Sequence, residues 1–203
     1  FHLNDNLILQ PGVPGYIFIV YGVAAFFVGA LYTLRPFCFF RRVGGEIVIS
    51  VGFGMIPLLG AYLIQAGDIT RTVYLASLPL VVATGLWVWV DGLAGRAGDE
   101  KRGRGTMVIE FGARFAGRYG VSALSLLLIS TILAAVFSGS VNPVALFSLL
   151  SAWLLWKIVA ASWNEYMSRE RMLEARKTAY LVHFTVGIIL AVSSLVAIFE
   201  NNF

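Results

Sequence analysis

Six long apolar segments alternate with shorter polar and charged segments along the chain. Each is close to the roughly 20 residues that a helix needs to cross a bilayer. None shows the period of two that marks the strands of a membrane barrel, and a bilayer core holds no water to satisfy free backbone groups. The pattern therefore predicts an all-α membrane protein with six transmembrane helices. The predicted spans cover residues 15–34, 46–66, 73–95, 119–137, 143–163 and 178–199.

The composition supports a membrane protein and excludes several other classes. Hydrophobic residues make up 59% of the 203 residues and charged residues 13%, and the mean hydropathy is +0.82. A soluble domain of this length could not bury so much apolar surface in one core. A single cysteine, Cys38, cannot form an internal disulfide. Because we find no internal repeat and no low-complexity tract, we expect residues 1–203 to form one transmembrane domain.

Two local features add to this prediction. Pro57 and Pro79 lie inside predicted spans, where the missing backbone N–H predicts a kink. The chain begins at Phe1 rather than Met, and residues 1–14 lack the basic start and apolar core of a signal peptide. We therefore expect a fragment or a processed chain.

Basic residues mark one face of the predicted bundle. Thirteen of the fifteen Lys and Arg residues lie in the loops after the first, third and fifth spans. The positive-inside rule makes these loops cytoplasmic, and we expect a multi-pass protein of a bacterial or archaeal cytoplasmic membrane. Contacts with anionic membrane lipids explain the net charge of +4, so no nucleic-acid partner is predicted. The thirteen residues are Arg35, Arg41, Arg42, Arg96, Lys101, Arg102, Arg104, Arg114, Arg118, Arg169, Arg171, Arg176 and Lys177.

The loop after the third span joins an acid at membrane depth to a segment rich in glycine and arginine. Residues 90–112 read VDGLAGRAGDEKRGRGTMVIEFG. Asp91 lies at the end of the span, where a carboxylate is costly enough to suggest a functional role. Asp91, Gly95 and Asp99 are spaced four residues apart, so on a continuous helix they would share one face.

This face is a candidate site for a metal ion and phosphate. Asp91 and Asp99 could hold Mg²⁺, which prefers hard oxygen ligands and often binds substrate phosphates at the same time. Arg102 and Arg104 could then neutralise the phosphate oxygens. The alternative is structural, with an interfacial aspartate paired to a loop arginine.

The same segment resembles the second aspartate-rich motif of the UbiA superfamily of intramembrane prenyltransferases. It is most similar to the branch that prenylates 1,4-dihydroxy-2-naphthoate for menaquinone, whose motif typically reads NNxRDxxxDxxxGKxTLAVxxG. One departure is clear: the first aspartate of that motif falls on Gly95, and the asparagine one helical turn earlier falls on Asp91. The matching positions are Asp99, Gly103, Arg104, Thr106 and Gly112.

A second block of residues resembles the same family. The family pattern YTxxPxxxxxxxxGE, followed by FG, matches this chain without a gap. In the family this loop lies over the cytoplasmic cavity, so the resemblance makes Tyr32 a catalytic and acceptor-binding candidate and Arg42 an acceptor-binding candidate. The alternative for Tyr32 is an aromatic residue at the membrane interface. The matching positions are Tyr32, Thr33, Pro36, Gly45, Glu46, Phe53 and Gly54.

The resemblance implies a UbiA-like helical bundle that lacks the first three of nine spans and has its active face on the cytoplasmic side. It also implies transfer of a polyprenyl group from its diphosphate to an aromatic acceptor such as 1,4-dihydroxy-2-naphthoate, in menaquinone biosynthesis. Asp99 and Asp91 would be catalytic and would bind Mg²⁺, and Arg102 and Arg104 would bind the diphosphate. A Mg²⁺-dependent enzyme is expected if the full-length chain supplies the first aspartate motif of the family.

Two other functions stay open at this stage. The chain could be a noncatalytic UbiA-like subunit that packs lipid, quinone or pigment together with other membrane subunits. A transporter is a weaker third hypothesis, since acids within spans also mark ion paths.

Overall fold

The computed structural model describes the backbone of residues 15–200 and the side chains of residues 15–64 and 66–197. Of the residues that the structure describes, 85% are helical, and they form no strand. A 3₁₀ turn covers Phe39–Arg41, a π turn covers Ala116–Gly120, and a longer 3₁₀ segment covers Pro143–Ser151. The α-helices are α1 (Gly15–Thr33), α2 (Gly45–Gly54), α3 (Ile56–Ala66), α4 (Arg71–Lys101), α5 (Met107–Phe111), α6 (Ala113–Phe115), α7 (Val121–Phe137), α8 (Ala152–Asn164) and α9 (Arg169–Glu200).

Within the part of the chain that the structure describes, six helical stretches are long and apolar enough to cross a membrane. This confirms the predicted all-α membrane bundle of six transmembrane helices. The first consists of α1, and the second joins α2 to α3. The stretches are Gly15–Thr33, Gly45–Ile64, Arg71–Lys101, Ala113–Phe137, Pro143–Asn164 and Arg169–Ala197.

The two prolines predicted to cause kinks have different surroundings. The second span is broken at Met55, which has φ −111° and ψ −50°, and Pro57 follows in the first turn of α3. Proline is tolerated there because the N–H groups of a first turn have no partner within the helix. Pro79 instead lies inside α4, which is helical from Arg71 to Lys101.

Helix α4 is the centre of the bundle and packs against α2, α7 and α9. Its buried side chains, Leu86 and Val90 among them, form a core with residues from α7 and α9. By contrast, α1 has no buried residue. Because α4 continues to Lys101, six residues beyond the apolar segment that predicted the third span, Asp99 lies on the same helix as Asp91.

Helices α2 and α4 approach each other closely at Gly54. A Cβ atom at this position would lie 2.5 Å from the Val81 Cα and 2.7 Å from the Val81 nitrogen. Only a residue without a side chain fits against backbone atoms at this separation, as is common where membrane helices cross.

The three basic loops meet at one end of the bundle. The Gly105 N–H donates to the Arg41 carbonyl at 2.9 Å, which joins the first loop to the second. Arg118 Nε donates to the Trp163 carbonyl at 3.0 Å, which joins the second loop to the end of α8. This arrangement agrees with the common side predicted from the distribution of Lys and Arg.

Candidate active site

A small cavity of about 90 Å³ lies at the basic end of the bundle, between α2, α4 and the loop that follows α4. It contains four of the residues proposed from the sequence: Tyr32, Asp91, Asp99 and Arg104. The full lining is Tyr32, Phe40, Gly45, Glu46, Val88, Asp91, Gly92, Asp99, Arg104 and Thr106.

Asp99 is a buried acid of this site. Its side chain is 12% exposed, and Oδ1 accepts a hydrogen bond from Arg104 Nη1 at 3.0 Å. Arg102 Nη1 lies 3.9 Å from the same oxygen, but the Arg102 side chain is 65% exposed, so solvent weakens this contact. A turn at Gly103, with φ 63°, brings Arg104 back toward Asp99, and glycine adopts this left-handed conformation without strain.

Asp91 lines the same cavity but has a different partner. Its Oδ1 accepts a hydrogen bond from Arg176 Nη1 of α9 at 3.0 Å, and its side chain is 54% exposed. Asp91 and Asp99 are eight residues apart on α4, about 12 Å along the helix axis. Each predicted metal ligand is therefore held by its own arginine, and the structural alternative of an Asp–Arg pair is observed for both.

The two residues proposed to bind the aromatic acceptor, Tyr32 and Arg42, lie in different environments. Tyr32, at the end of α1, is partly buried, and its ring centroid lies 6.2 Å from that of Phe40. Arg42 is exposed, and its Nη2 donates to the Pro36 carbonyl at 2.9 Å. Arg42 therefore lies in the loop near the cavity but is not part of the described lining.

Glu46 is a lining residue that was not proposed as a site residue from the sequence. It lies in the first turn of α2 and is 9% exposed. Its Oε1 accepts a hydrogen bond from the Met107 N–H at 2.9 Å, whereas its buried Oε2 has no hydrogen-bond partner among the described residues. Two signals were available: Glu46 is a matching position of the family pattern, and it is an acid at the edge of an apolar span, which is costly unless it has a role.

Phe40 is a lining residue that the sequence analysis did not single out. The guanidinium carbon of Arg104 lies 4.9 Å from the centroid of the Phe40 ring. At this distance the ring attracts the cation and holds it in place. Arg104 is thus fixed on one side by Asp99 and on the other by Phe40, while its buried Nε has no partner in the part of the chain that the structure describes.

The family model of the UbiA prenyltransferase family matches residues 8–179, which is most of the chain and includes every lining residue of the cavity. The chain belongs to the UbiA prenyltransferase family. Comparisons with curated proteins and with solved structures found no match. Membership supports prenyl transfer from a diphosphate to an aromatic acceptor as the general activity, carried out by an integral multi-pass membrane protein.

UbiA prenyltransferases generally depend on Mg²⁺. No group of three or more His, Cys, Asp or Glu residues within the described ranges could form a metal site made of protein ligands alone. Mg²⁺ bound to a diphosphate needs fewer protein ligands, since it typically uses one or two carboxylates, substrate phosphates and water. The buried Asp99, with Arg104 beside it, fits that requirement.

A larger cavity, of about 380 Å³, lies between α8 and α9 in this UbiA family member. Its charged side chains largely neutralise one another, with Arg171 Nε 3.0 Å from Glu165 Oε2 and Arg171 Nη1 3.3 Å from Glu174 Oε2. None of the residues proposed from the sequence lines it. We therefore regard the smaller cavity around Asp99 as the candidate active site.

Proposed function

We propose that this chain transfers a polyprenyl group from its diphosphate to 1,4-dihydroxy-2-naphthoate, a step in menaquinone biosynthesis. The observation that carries the proposal is the buried Asp99, held by Arg104 at 3.0 Å in a cavity at the basic end of a UbiA bundle. The choice of acceptor is supported by the resemblance of residues 32–54 and 99–112 to the menaquinone branch.

The proposed reaction begins with cleavage of the bond between the allylic carbon and the diphosphate oxygen. The electron pair leaves with the diphosphate, and an allylic cation remains. Arg104, assisted by Arg102, would stabilise the charge that develops on the leaving group. Asp99 would hold Mg²⁺, which when bound neutralises further charge on the diphosphate oxygens. A carbon of the acceptor ring then forms the new bond to the cation, and the ring regains aromaticity by losing a proton or carbon dioxide.

The other predicted residues have secondary places in this proposal. Asp91, 54% exposed and paired with Arg176, would add negative charge that helps to hold Mg²⁺ in the cavity. Tyr32 would orient the acceptor from the side of the cavity that Phe40 shares. For Arg42 to bind the acceptor's carboxylate, its Nη2 must leave the Pro36 carbonyl, which lies 2.9 Å away.

The test is the transfer of a radiolabelled prenyl group to 1,4-dihydroxy-2-naphthoate by the full-length protein in detergent, titrated with Mg²⁺. We expect Asp99→Asn to reduce the rate by about 100-fold or more, because both the metal ligand and the partner of Arg104 are lost. The matched control is Asp68→Asn, the same change in the exposed turn between α3 and α4, which should have wild-type activity.

Two results would contradict the proposal. Equal activity of Asp99→Asn and Asp68→Asn would exclude Asp99 from the reaction. A wild-type protein that neither turns over nor binds prenyl diphosphate, yet copurifies stoichiometrically with other membrane subunits, would replace the enzyme with the noncatalytic subunit.

A further inference from the structure

Glu46 lines the candidate active site, and one of its carboxylate oxygens is unused within the described residues. The residue is 9% exposed, and one of its two oxygens, Oε1, is held by the Met107 N–H at 2.9 Å. The other oxygen, Oε2, is buried and has no hydrogen-bond partner within residues 15–200. An acceptor atom buried without a partner costs free energy, so an occupant of the cavity that donates a hydrogen bond would be bound there.

The same cavity contains an unused donor. Arg104 Nη1 is engaged with Asp99 Oδ1, but the buried Arg104 Nε has no partner among the described residues. The cavity therefore lacks one hydrogen-bond donor, for Glu46, and one acceptor, for Arg104. Its occupants must supply both.

The two substrates differ in what they can supply. A diphosphate offers only acceptor oxygens in its ionised form, and a prenyl chain offers neither donors nor acceptors. A hydroxyl group has one donor hydrogen and two acceptor lone pairs. Of the two substrates of the proposed reaction, only the hydroxylated aromatic acceptor can donate a hydrogen bond to Glu46 Oε2.

Two aromatic side chains line the same cavity as Glu46. Tyr32 and Phe40 both line it, and their ring centroids are 6.2 Å apart. Aromatic pairs favour separations in this range, and an aromatic ligand could extend the group. The surroundings of Glu46 therefore suit a flat, hydroxylated ring.

We propose that Glu46 is an acceptor-binding residue, whose Oε2 accepts a hydrogen bond from a ring hydroxyl of the aromatic acceptor. This inference rests on the proposed prenyl transfer to a hydroxylated aromatic compound. The hydrogen bond from Met107 to Oε1 fixes the carboxylate plane, so that Oε2 has a defined position. Glu46 thereby orients the ring for attack on the allylic cation.

Glu46→Gln is the decisive variant. Its amide oxygen must take the position of Oε1 to accept from the Met107 N–H, which turns the NH₂ group toward the cavity. A donor then stands where the hydroxyl requires an acceptor. Glu170→Gln is the matched control, since Glu170 is exposed in the first turn of α9 and is not part of the lining.

The experiment measures prenyl transfer by the full-length protein in detergent with 1,4-dihydroxy-2-naphthoate. For Glu46→Gln we expect the KM for this acceptor to rise by about 10- to 100-fold, as for loss of a hydrogen bond to a charged group. The KM for prenyl diphosphate and the Mg²⁺ concentration for half-maximal rate should stay unchanged. Glu170→Gln should match the wild type in all three values.

A second measurement does not depend on the variant being stable. The inhibition constants of 1-hydroxy-2-naphthoate, 4-hydroxy-2-naphthoate and 2-naphthoate are compared for the wild-type protein. We expect one hydroxyl to tighten binding by about 10-fold or more, and this preference to disappear in Glu46→Gln.

Several outcomes would overturn the inference. A wild-type protein that binds all three naphthoates equally would mean that the cavity polar groups are satisfied by water alone. A Glu46→Gln protein with an unchanged acceptor KM, or with only a raised Mg²⁺ requirement, would exclude Glu46 from acceptor binding. In each of these cases prenyl transfer by the wild type persists, and the proposed function stands. No transfer by the wild type would refute the proposed function and this inference together.

Discussion

The close crossing of α2 and α4 predicts that Gly54→Ala destabilises the protein. The added Cβ would lie 2.5 Å from the Val81 Cα and 2.7 Å from the Val81 nitrogen, whereas ordinary contacts begin at 3.4 Å. Both neighbours are backbone atoms, so neither can rotate away. The two helices must therefore separate by roughly 1 Å, in an interior that is otherwise closely packed.

The expected cost follows from known overpacking effects. Inserting a methyl group into a packed interface costs about 1–3 kcal/mol. Alanine recovers part of this through its higher helix propensity, at most about 1 kcal/mol and less at the last residue of a helix. We expect a net destabilisation of about 1–2 kcal/mol, which lowers Tm by about 2–8 °C for a chain of this size.

The assay is thermal unfolding in one detergent at one scan rate. Gly52→Ala is the matched control, because it makes the same change on the same helix and its Cβ would meet nothing nearer than Val28 Cγ1 at 4.0 Å. Gly52→Ala should leave Tm unchanged or raise it. If the two variants have the same Tm, the α2–α4 crossing is looser than described and the reasoning is wrong.

Two further predictions concern the face of α4 that carries the acids. Asp91→Asn and Arg176→Gln should each reduce prenyl transfer moderately. Because the two side chains pair at 3.0 Å, the double variant should be no less active than either single variant. Additive losses of activity would contradict this. Gly95→Asp should lower the Mg²⁺ concentration for half-maximal rate by about 10-fold, since a Cβ there lies 3.7 Å from Asp99 Oδ2 and brings a second carboxylate to the site. Gly95→Asn is its control, and an equal effect of both variants would show that charge is not the cause.

The membrane fold could be predicted from the sequence because a bilayer allows few solutions. Every apolar segment of about 20 residues must satisfy its own backbone, so six such segments predict six helices. The basic loops could be assigned to one side of the membrane for a similar reason, since the Lys and Arg residues in the loops set the orientation of the spans. Neither prediction required knowledge of which helices touch.

The end of α4 was harder to predict because hydropathy and helicity diverge there. The apolar segment stops at Gly95, but the helix continues through charged residues to Lys101 and ends in the turn at Gly103. This extension makes the Asp99–Arg104 pair a local feature, with partners five residues apart. The pair was therefore accessible to sequence reasoning.

Partners distant in the sequence could not be predicted. Arg176, the partner of Asp91, lies 85 residues away in the sequence. The predicted basic loops contain several arginines, and the sequence does not show which of them pairs with Asp91. Arg42 shows a related limit of sequence reasoning. The family motif places Arg42 near the cavity, but it does not show that the guanidinium donates a hydrogen bond to the Pro36 carbonyl.

The burial of Glu46 also could not be predicted from the sequence. From the sequence it is an acid at the edge of a span, where an exposed interfacial residue and a buried one look the same. Its burial depends on tertiary contacts: α2 packs along α4, and the loop after α4 folds back so that the Met107 N–H reaches Oε1. Asp99 and Arg104, in contrast, are held together by one turn of chain. The diphosphate side of the proposed site is thus built locally and the acceptor side by helix packing. Separation of α2 from α4 in Gly54→Ala should therefore raise the KM for the acceptor more than the KM for prenyl diphosphate.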